Sequence, residues 1–297
     1  MIIASASFAA NDINTKIAVE FLPVTEIIVI RGVTASIFAF SMACFVHGVS
    51  QLKTIANRNL FWRSLFEASV GPILITCYAF LPLATVTAVM QFGPFIGMIA
   101  GIYLFKETVG WRRWCAAAVA FLGVLLIIKP GSEAFQPIVI PVLFAATLGV
   151  ARDIQSRKIG NTVPPFVVPL ATSLMSILIA SALTPIFRPL GFKAWGPWLW
   201  PDLYSFAISS LAGIFLVLAN MFAFLAFRSG NMSAVSPFRY FYLFFAVIGG
   251  MIVFAEFPDY LAFLGMTLIV AGGIYLLHRE RLRAKHAAVA AIPPGAQ

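Results

Sequence analysis

The 297-residue chain is 61% hydrophobic and only 10% charged, with a formal net charge of +9 and a mean hydropathy of +0.96. An ordinary soluble domain carries roughly a quarter charged residues, so this composition excludes a soluble globular fold. The positive balance does not point to nucleic acid either, because the Lys and Arg residues lie in short clusters between apolar runs.

A helix needs about 20 mostly apolar residues to cross the hydrocarbon core of a bilayer. Cutting the chain at its charged, Pro-rich and Gly-rich breaks leaves ten such segments, at 1 to 19, 24 to 46, 60 to 80, 84 to 105, 110 to 128, 136 to 156, 164 to 186, 203 to 227, 231 to 254 and 259 to 277. The first carries Asp12 and Lys16, has no basic region before it and is followed by no small-residue cleavage site, so it reads as a spanning helix and not as a signal peptide. The sixth ends in Arg152 and Asp153.

With the N-terminus placed in the cytoplasm, only Lys129, Arg188 and Lys193 fall outside, and Lys16, Arg31 and Arg239 lie within spans. All other basic residues, Arg63 and Arg152 among them, fall on the cytoplasmic side. Both termini are therefore expected inside, in a multi-pass protein of the bacterial inner membrane, and the basic stretch His278 to His286 acts as a headgroup anchor. Cys44, Cys77 and Cys115 sit in apolar stretches without metal-ligand or disulfide spacing, so neither a metal nor a cofactor is expected. Trp62, Trp195, Trp198 and Trp200 are expected in the aromatic belt at the membrane interfaces.

A shift of 149 residues lays the end of the first half of the chain on the end of the second. Phe105 and Glu107 then fall on Phe254 and Glu256, Gly101 on Gly250, Gly97 on Ala246, Trp111 on Tyr260 and Gly123 on Gly272. Gly97 with Gly101, and Ala246 with Gly250, are small residues four apart, the spacing that lets a neighbouring helix approach closely. Five helices per copy is an odd number, so the second copy enters the membrane from the opposite side and the repeat is inverted. The expected architecture is an all-α integral membrane protein: residues 1–130 form the first five-helix repeat, 131–280 the inverted second, and 281–297 a basic, flexible tail.

These features resemble the drug/metabolite transporter superfamily in its ten-helix EamA type. The resemblance rests on Leu81-Pro82-Leu83-Ala84 with Pro94, on Phe105-Lys106-Glu107-Thr108-Val109-Gly110-Trp111-Arg112-Arg113-Trp114, and on Gly123-Val124-Leu125-Leu126-Ile127-Ile128-Lys129-Pro130. A weaker echo is Phe254-Ala255-Glu256 with Ala271-Gly272-Gly273. It implies a gradient-coupled or facilitated carrier of small organic metabolites, acting as a monomer or homodimer with no nucleic-acid partner.

Ionisable side chains inside a span cost roughly 2.5 to 3.5 kcal/mol each on the insertion scale, so each is a candidate for function. Arg239, about eight residues into its segment, shares a helical stripe with Ser236 and Tyr242. It either receives a substrate carboxylate or phosphate or pairs with Glu67. Glu67 is in turn either a proton carrier or that counter-ion. Arg31 has Glu26 nearby for a rim ion pair, with substrate contact as the alternative. Asp12 and Lys16, four apart with the acid first, are expected to neutralise each other. Gln91 and Tyr240 align under the 149-residue shift, and Tyr78 and Asn220 are further lone polar groups on apolar helices. An ATP-driven pump is excluded by the lack of GxxxxGK[ST], and the lack of HExxH and GxSxG speaks against an intramembrane enzyme. A channel is the remaining alternative.

Overall fold

The computed structural model describes residues 1–93, 95–97, 99–100, 111–129, 136–189, 191, 193–229, 240–272 and 274–275. Among these the regular structure is helical throughout. In chain order the helices are α1 (Ile2–Val19), α2 (Val24–His47), α3 (Arg58–Tyr78), α4 (Leu83–Met90, running on towards Gly97), α5 (Trp111–Ile128) and α6 (Ile140–Ile159). They continue with α7 (Val167–Phe187), α8 (Leu203–Ser229), α9 (Tyr240–Phe254) and α10 (Tyr260–Gly272).

Among the described residues, four stretches are long and apolar enough to cross a membrane: Val24–Val46, Pro137–Ile159, Val167–Phe187 and Leu203–Ala226. The distribution of side chains explains where these helices sit. On α2, Ile27, Ile28, Ala35 and Ala39 are buried, while Val33, Ile37 and Phe40 are exposed, so the helix is apolar on both faces. Water would penalise that outer face, whereas lipid does not. The polarity is placed inside instead: Asp12, Lys16, Glu26, Arg31, Arg63, Glu67 and Asp153 are all buried.

Local capping sets several helix starts. The Asn57 side chain accepts hydrogen bonds from the backbone N–H of Asn59 (2.8 Å) and Leu60 (3.2 Å) at the start of α3. Asp202 accepts from Ser205 N–H (3.0 Å) before α8, and Asp259 from Ala262 N–H (2.8 Å) before α10. Asp259 also binds Lys129 at the end of α5. That hydrogen bond, together with the one from Ala262, holds the Asp259 carboxyl below the ordinary Asp value. A depressed folded-state value means that the stabilisation is present above about pH 3.9 and is lost as the pH falls further. The side chain is half-exposed, so the ion pair itself contributes little. Asp259→Ala should cost about 0.5 to 2 kcal/mol through the lost cap and Asp259→Asn a few tenths, as read by the melting temperature in detergent.

The helices pack in a definite set of pairs. Helix α1 lies against α8 and α9, α3 against α6 and α7, α2 against α7 and α8, and α4 against α6 and α9. Glycines decide how close some of these approaches are. A Cβ on Gly213 of α8 would sit 2.5 Å from the carbonyl oxygen of Arg31 on α2, and reciprocal contacts of 2.6 and 2.5 Å would arise between Gly123 of α5 and Gly265 of α10. By contrast, Gly97 and Gly250 have ordinary van der Waals room: their nearest neighbours are Val150 at 3.8 Å and Glu256 at 3.7 Å. Ala246 is buried in the apolar core, and Gly101 lies outside the described residues. Gly213→Ala should therefore lower stability by about 1 to 3 kcal/mol, because a backbone atom blocks the added methyl, while Gly250→Ala is tolerated. Equal melting temperatures for the two variants would disprove the close contact.

The four tryptophans expected in the aromatic belt differ in exposure. Trp198 and Trp200 are exposed, and Trp62 is partly so, but Trp195 is buried. It stacks on Phe187 with ring centroids 5.0 Å apart and donates from Nε1 to Thr76 Oγ1 at 3.1 Å. A buried indole needs an acceptor, and α3 supplies one.

Candidate functional site

Charged groups gather at three levels inside the bundle. One end is closed by Lys16, near the C-terminus of α1. Its ammonium binds Glu256, just after α9, and donates to the Leu81 carbonyl at 3.0 Å in the turn between α3 and α4. Glu256 also accepts the Leu83 backbone N–H at 2.8 Å. This arrangement replaces the expected Asp12–Lys16 pair. Lys16 reaches off its own helix, and Asp12 turns to other partners.

The middle level is a cavity lined from eight helices. Helix α1 contributes Phe8, Asn11 and Asp12; α2 Arg31; α3 Glu67, Gly71 and Tyr78; and α4 Met90, with Gln91 next to it. From the second half come Arg152 on α6, Thr172 and Ser176 on α7, Leu216 on α8 and Tyr242 on α9. The Tyr242 hydroxyl donates to Asp12, whose other oxygen accepts from Asn11 Nδ2 at 2.8 Å. Phe8 packs edge-on against the Tyr242 ring. Tyr78 lies beside Asp12 and Tyr242, the three polar groups facing one another inside the cavity.

The third level is a network of arginines on α3 and α6. Arg152 Nη1 binds Glu67 at 2.5 Å, and its Nε donates to Asp153 at 2.9 Å. Glu67 is thus the partner of Arg152. Arg63, one turn before Glu67, donates from Nε to Ser156 (3.2 Å), from Nη1 to Thr172 (2.8 Å) and from Nη2 to Asn220 (2.9 Å). Neutral oxygens from three helices hold this guanidinium, while the Glu67 and Asp153 charges act on it from further away.

Several sequence-based expectations are corrected here. Arg63 and Arg152, counted from the sequence only as basic residues of the cytoplasmic side, are buried among the helices: Arg63 is 2% exposed and the Arg152 side chain 13%. The sixth segment, expected over 136 to 156, corresponds to α6, which runs on to Ile159 and holds Arg152 and Asp153 in its interior. Asn220 does not line the cavity: its oxygen is occupied by Arg63, and its Nδ2 donates to the Leu216 carbonyl at 3.1 Å. Arg31 does not pair with Glu26, which instead accepts the Leu199 backbone N–H at 2.9 Å. Gln91, Tyr78, Tyr242, Asp12, Arg31 and Glu67 do come together around one cavity. Arg239, Ser236 and the Tyr240 side chain lie outside the described residues. The four-residue spacing of Arg63 and Glu67 on one helical stripe is the signal by which the missed network was readable.

Residues 1–129 match the model of the EamA-like transporter family. The first 129 residues of the chain are thus similar to that family. Its relatives extend over nearly the whole length. It is 26% identical over 286 residues to an S-adenosylmethionine uptake transporter of Rickettsia felis, covering 94% of this chain and 92% of that one. It is 23% identical to a riboflavin transporter of Brucella anthropi, covering 94% and 98%, and 23% identical to a pseudopaline exporter of Pseudomonas aeruginosa, covering 94% and 95%. A solved crystal structure aligns with this chain at a TM-score of 0.62 and 16% identity, over 94% of this chain and 98% of its own, which shows a shared fold.

Proposed function

We propose that this protein is a secondary transporter that moves a small organic metabolite, amino-acid-like or otherwise anionic or zwitterionic, across the bacterial inner membrane by alternating access. The observation that carries this reading is the charged cavity, lined by α1 to α4 and again by α6 to α9 within a bundle whose outer faces are apolar. Ionisable groups of both signs at membrane depth are costly, and a translocated polar ligand gives them a use.

The helix packing supports two inverted five-helix repeats. If α1 corresponds to α6, α2 to α7, α3 to α8, α4 to α9 and α5 to α10, the pair α1–α8 exchanges with α6–α3. In the same way α2–α8 exchanges with α7–α3, and α1–α9 with α6–α4. The pairs α2–α7 and α4–α9 exchange with themselves. A set of contacts closed under such an exchange lets each half take the conformation of the other, which is how inverted repeats alternate access. Both termini are cytoplasmic on this reading, and protons are the candidate coupling ion, with Glu67 and Asp12 as the carboxylates available to carry them.

The test is flux in proteoliposomes with S-adenosylmethionine, riboflavin and the common L-amino acids as probes. Saturable flux with counter-exchange is expected for at least one of them. Flux that neither saturates nor exchanges would favour a channel instead.

A further inference from the structure

The inference concerns Arg31 and rests on the transporter reading. Arg31 is 5% exposed, and its place is set by the backbone: its carbonyl packs on Gly213 of α8, and its Nη2 lies 3.1 Å from where a Cβ of Gly71 on α3 would stand. The guanidinium lines the cavity. The charges of Asp12 and Glu67 act on it, yet among the described residues no side chain or backbone oxygen accepts a hydrogen bond from it.

The other buried arginines are committed. Arg152 binds Glu67 and Asp153, and Arg63 is held by Ser156, Thr172 and Asn220. Arg31 alone among these three brings a planar fork of N–H donors to the cavity with its hydrogen bonds unmade. Leaving buried charged donors unmade is unfavourable, and a planar oxyanion satisfies two of them at once. Close by, Asn11 Oδ1 is a buried acceptor without a donor, next to the Asp12 carboxylate. Among the side chains lining the cavity are two cations, Arg31 and Arg152, and two carboxylates, Asp12 and Glu67, so a ligand carrying both a negative and a positive pole meets a partner for each.

We infer that Arg31 receives the carboxylate of a zwitterionic substrate, whose cationic or N–H-donating pole faces Asn11 and Asp12. Arg31 is then a specificity-determining residue, and carboxylate-blocked analogues are rejected.

The experiment uses the purified full-length chain, with thermal stabilisation and proteoliposome counter-exchange read for L-amino acids, their carboxamides, S-adenosylmethionine and riboflavin. At least one amino carboxylate should stabilise the wild-type protein and exchange, and its carboxamide should bind tenfold to a hundredfold more weakly. Arg31→Gln should lose the same factor for the acid and nothing for the amide, and Arg31→Lys, which keeps the charge but not the fork, should fall between. Equal binding of acid and amide to the wild type overturns the inference without any variant having to fold. So does unchanged affinity of Arg31→Gln for the acid. Stabilisation and exchange by riboflavin alone would overturn the role of Arg31 and leave the transporter reading standing. No response to any probe in either assay would count against both.

Discussion

Arg152→Met is expected to be among the most damaging substitutions in the protein, at about 3 to 5 kcal/mol. The Arg152 guanidinium is the direct partner of Glu67 and of Asp153, whose side chains are 9% and 8% exposed. Removing the cation leaves two carboxylates in a medium that neither solvates nor neutralises them. The loss should appear as a lower melting temperature and a lower yield of monodisperse protein. Adding Glu67→Gln and Asp153→Asn to Arg152→Met should restore most of it, since an amide costs far less to bury than an unpaired charge. An Arg152→Met protein that melts like the wild type would eliminate this network as a structural element. A companion Arg239→Gln variant separates this network from the pairing of Arg239 with Glu67 expected from the sequence: with Arg152 as the partner, Glu67 should not be destabilised by that change.

Glu256→Ala should cost about 1 to 3 kcal/mol, because Glu256 has two tasks at the closed end of the bundle. It neutralises Lys16, which also lies 5.0 Å over the Phe254 ring, and it accepts the Leu83 N–H. Glu256→Gln keeps an oxygen for the amide and should lose less than the alanine variant. A charge swap, Lys16→Glu with Glu256→Lys, should not rescue, since a lysine ammonium cannot accept from Leu83. Full recovery by the swap, measured as melting temperature, would show that the attraction of opposite charges is all that holds the latch.

The latch and the network also show which parts of the site were legible in the sequence. Buried ionisable residues on apolar segments, namely Asp12, Arg31 and Glu67, could be read directly, because such residues stand out against their neighbours. Their partners could not. Asp12 and Lys16 have the spacing of a helical ion pair, but such a pair contributes only about 0.2 to 0.5 kcal/mol. A buried charge-assisted hydrogen bond to Tyr242 or Glu256 contributes about 1.5 to 3, so the distant partners win. Arg63 and Arg152 were missed because both lie within about two turns of a helix end, where a long basic side chain ordinarily reaches the interface. Here neutral oxygens and carboxylates of neighbouring helices draw them inward.

The sequence by itself determined that the chain belongs in a membrane, that its regular structure is helical, where most helices begin and end, and that it resembles the EamA type. The membrane location and the helices follow from composition and local periodicity and the resemblance from short motifs, none of which needs knowledge of neighbours. Only the tertiary structure decided which charges meet. It places Glu67 with Arg152, Lys16 with Glu256 and Asp12 with Tyr242, and it leaves Arg31 facing the cavity. The physical reason is that in a low-dielectric interior a charge takes whichever partner the packing of separate helices brings within hydrogen-bond distance, and that packing is set by contacts between residues far apart in the chain.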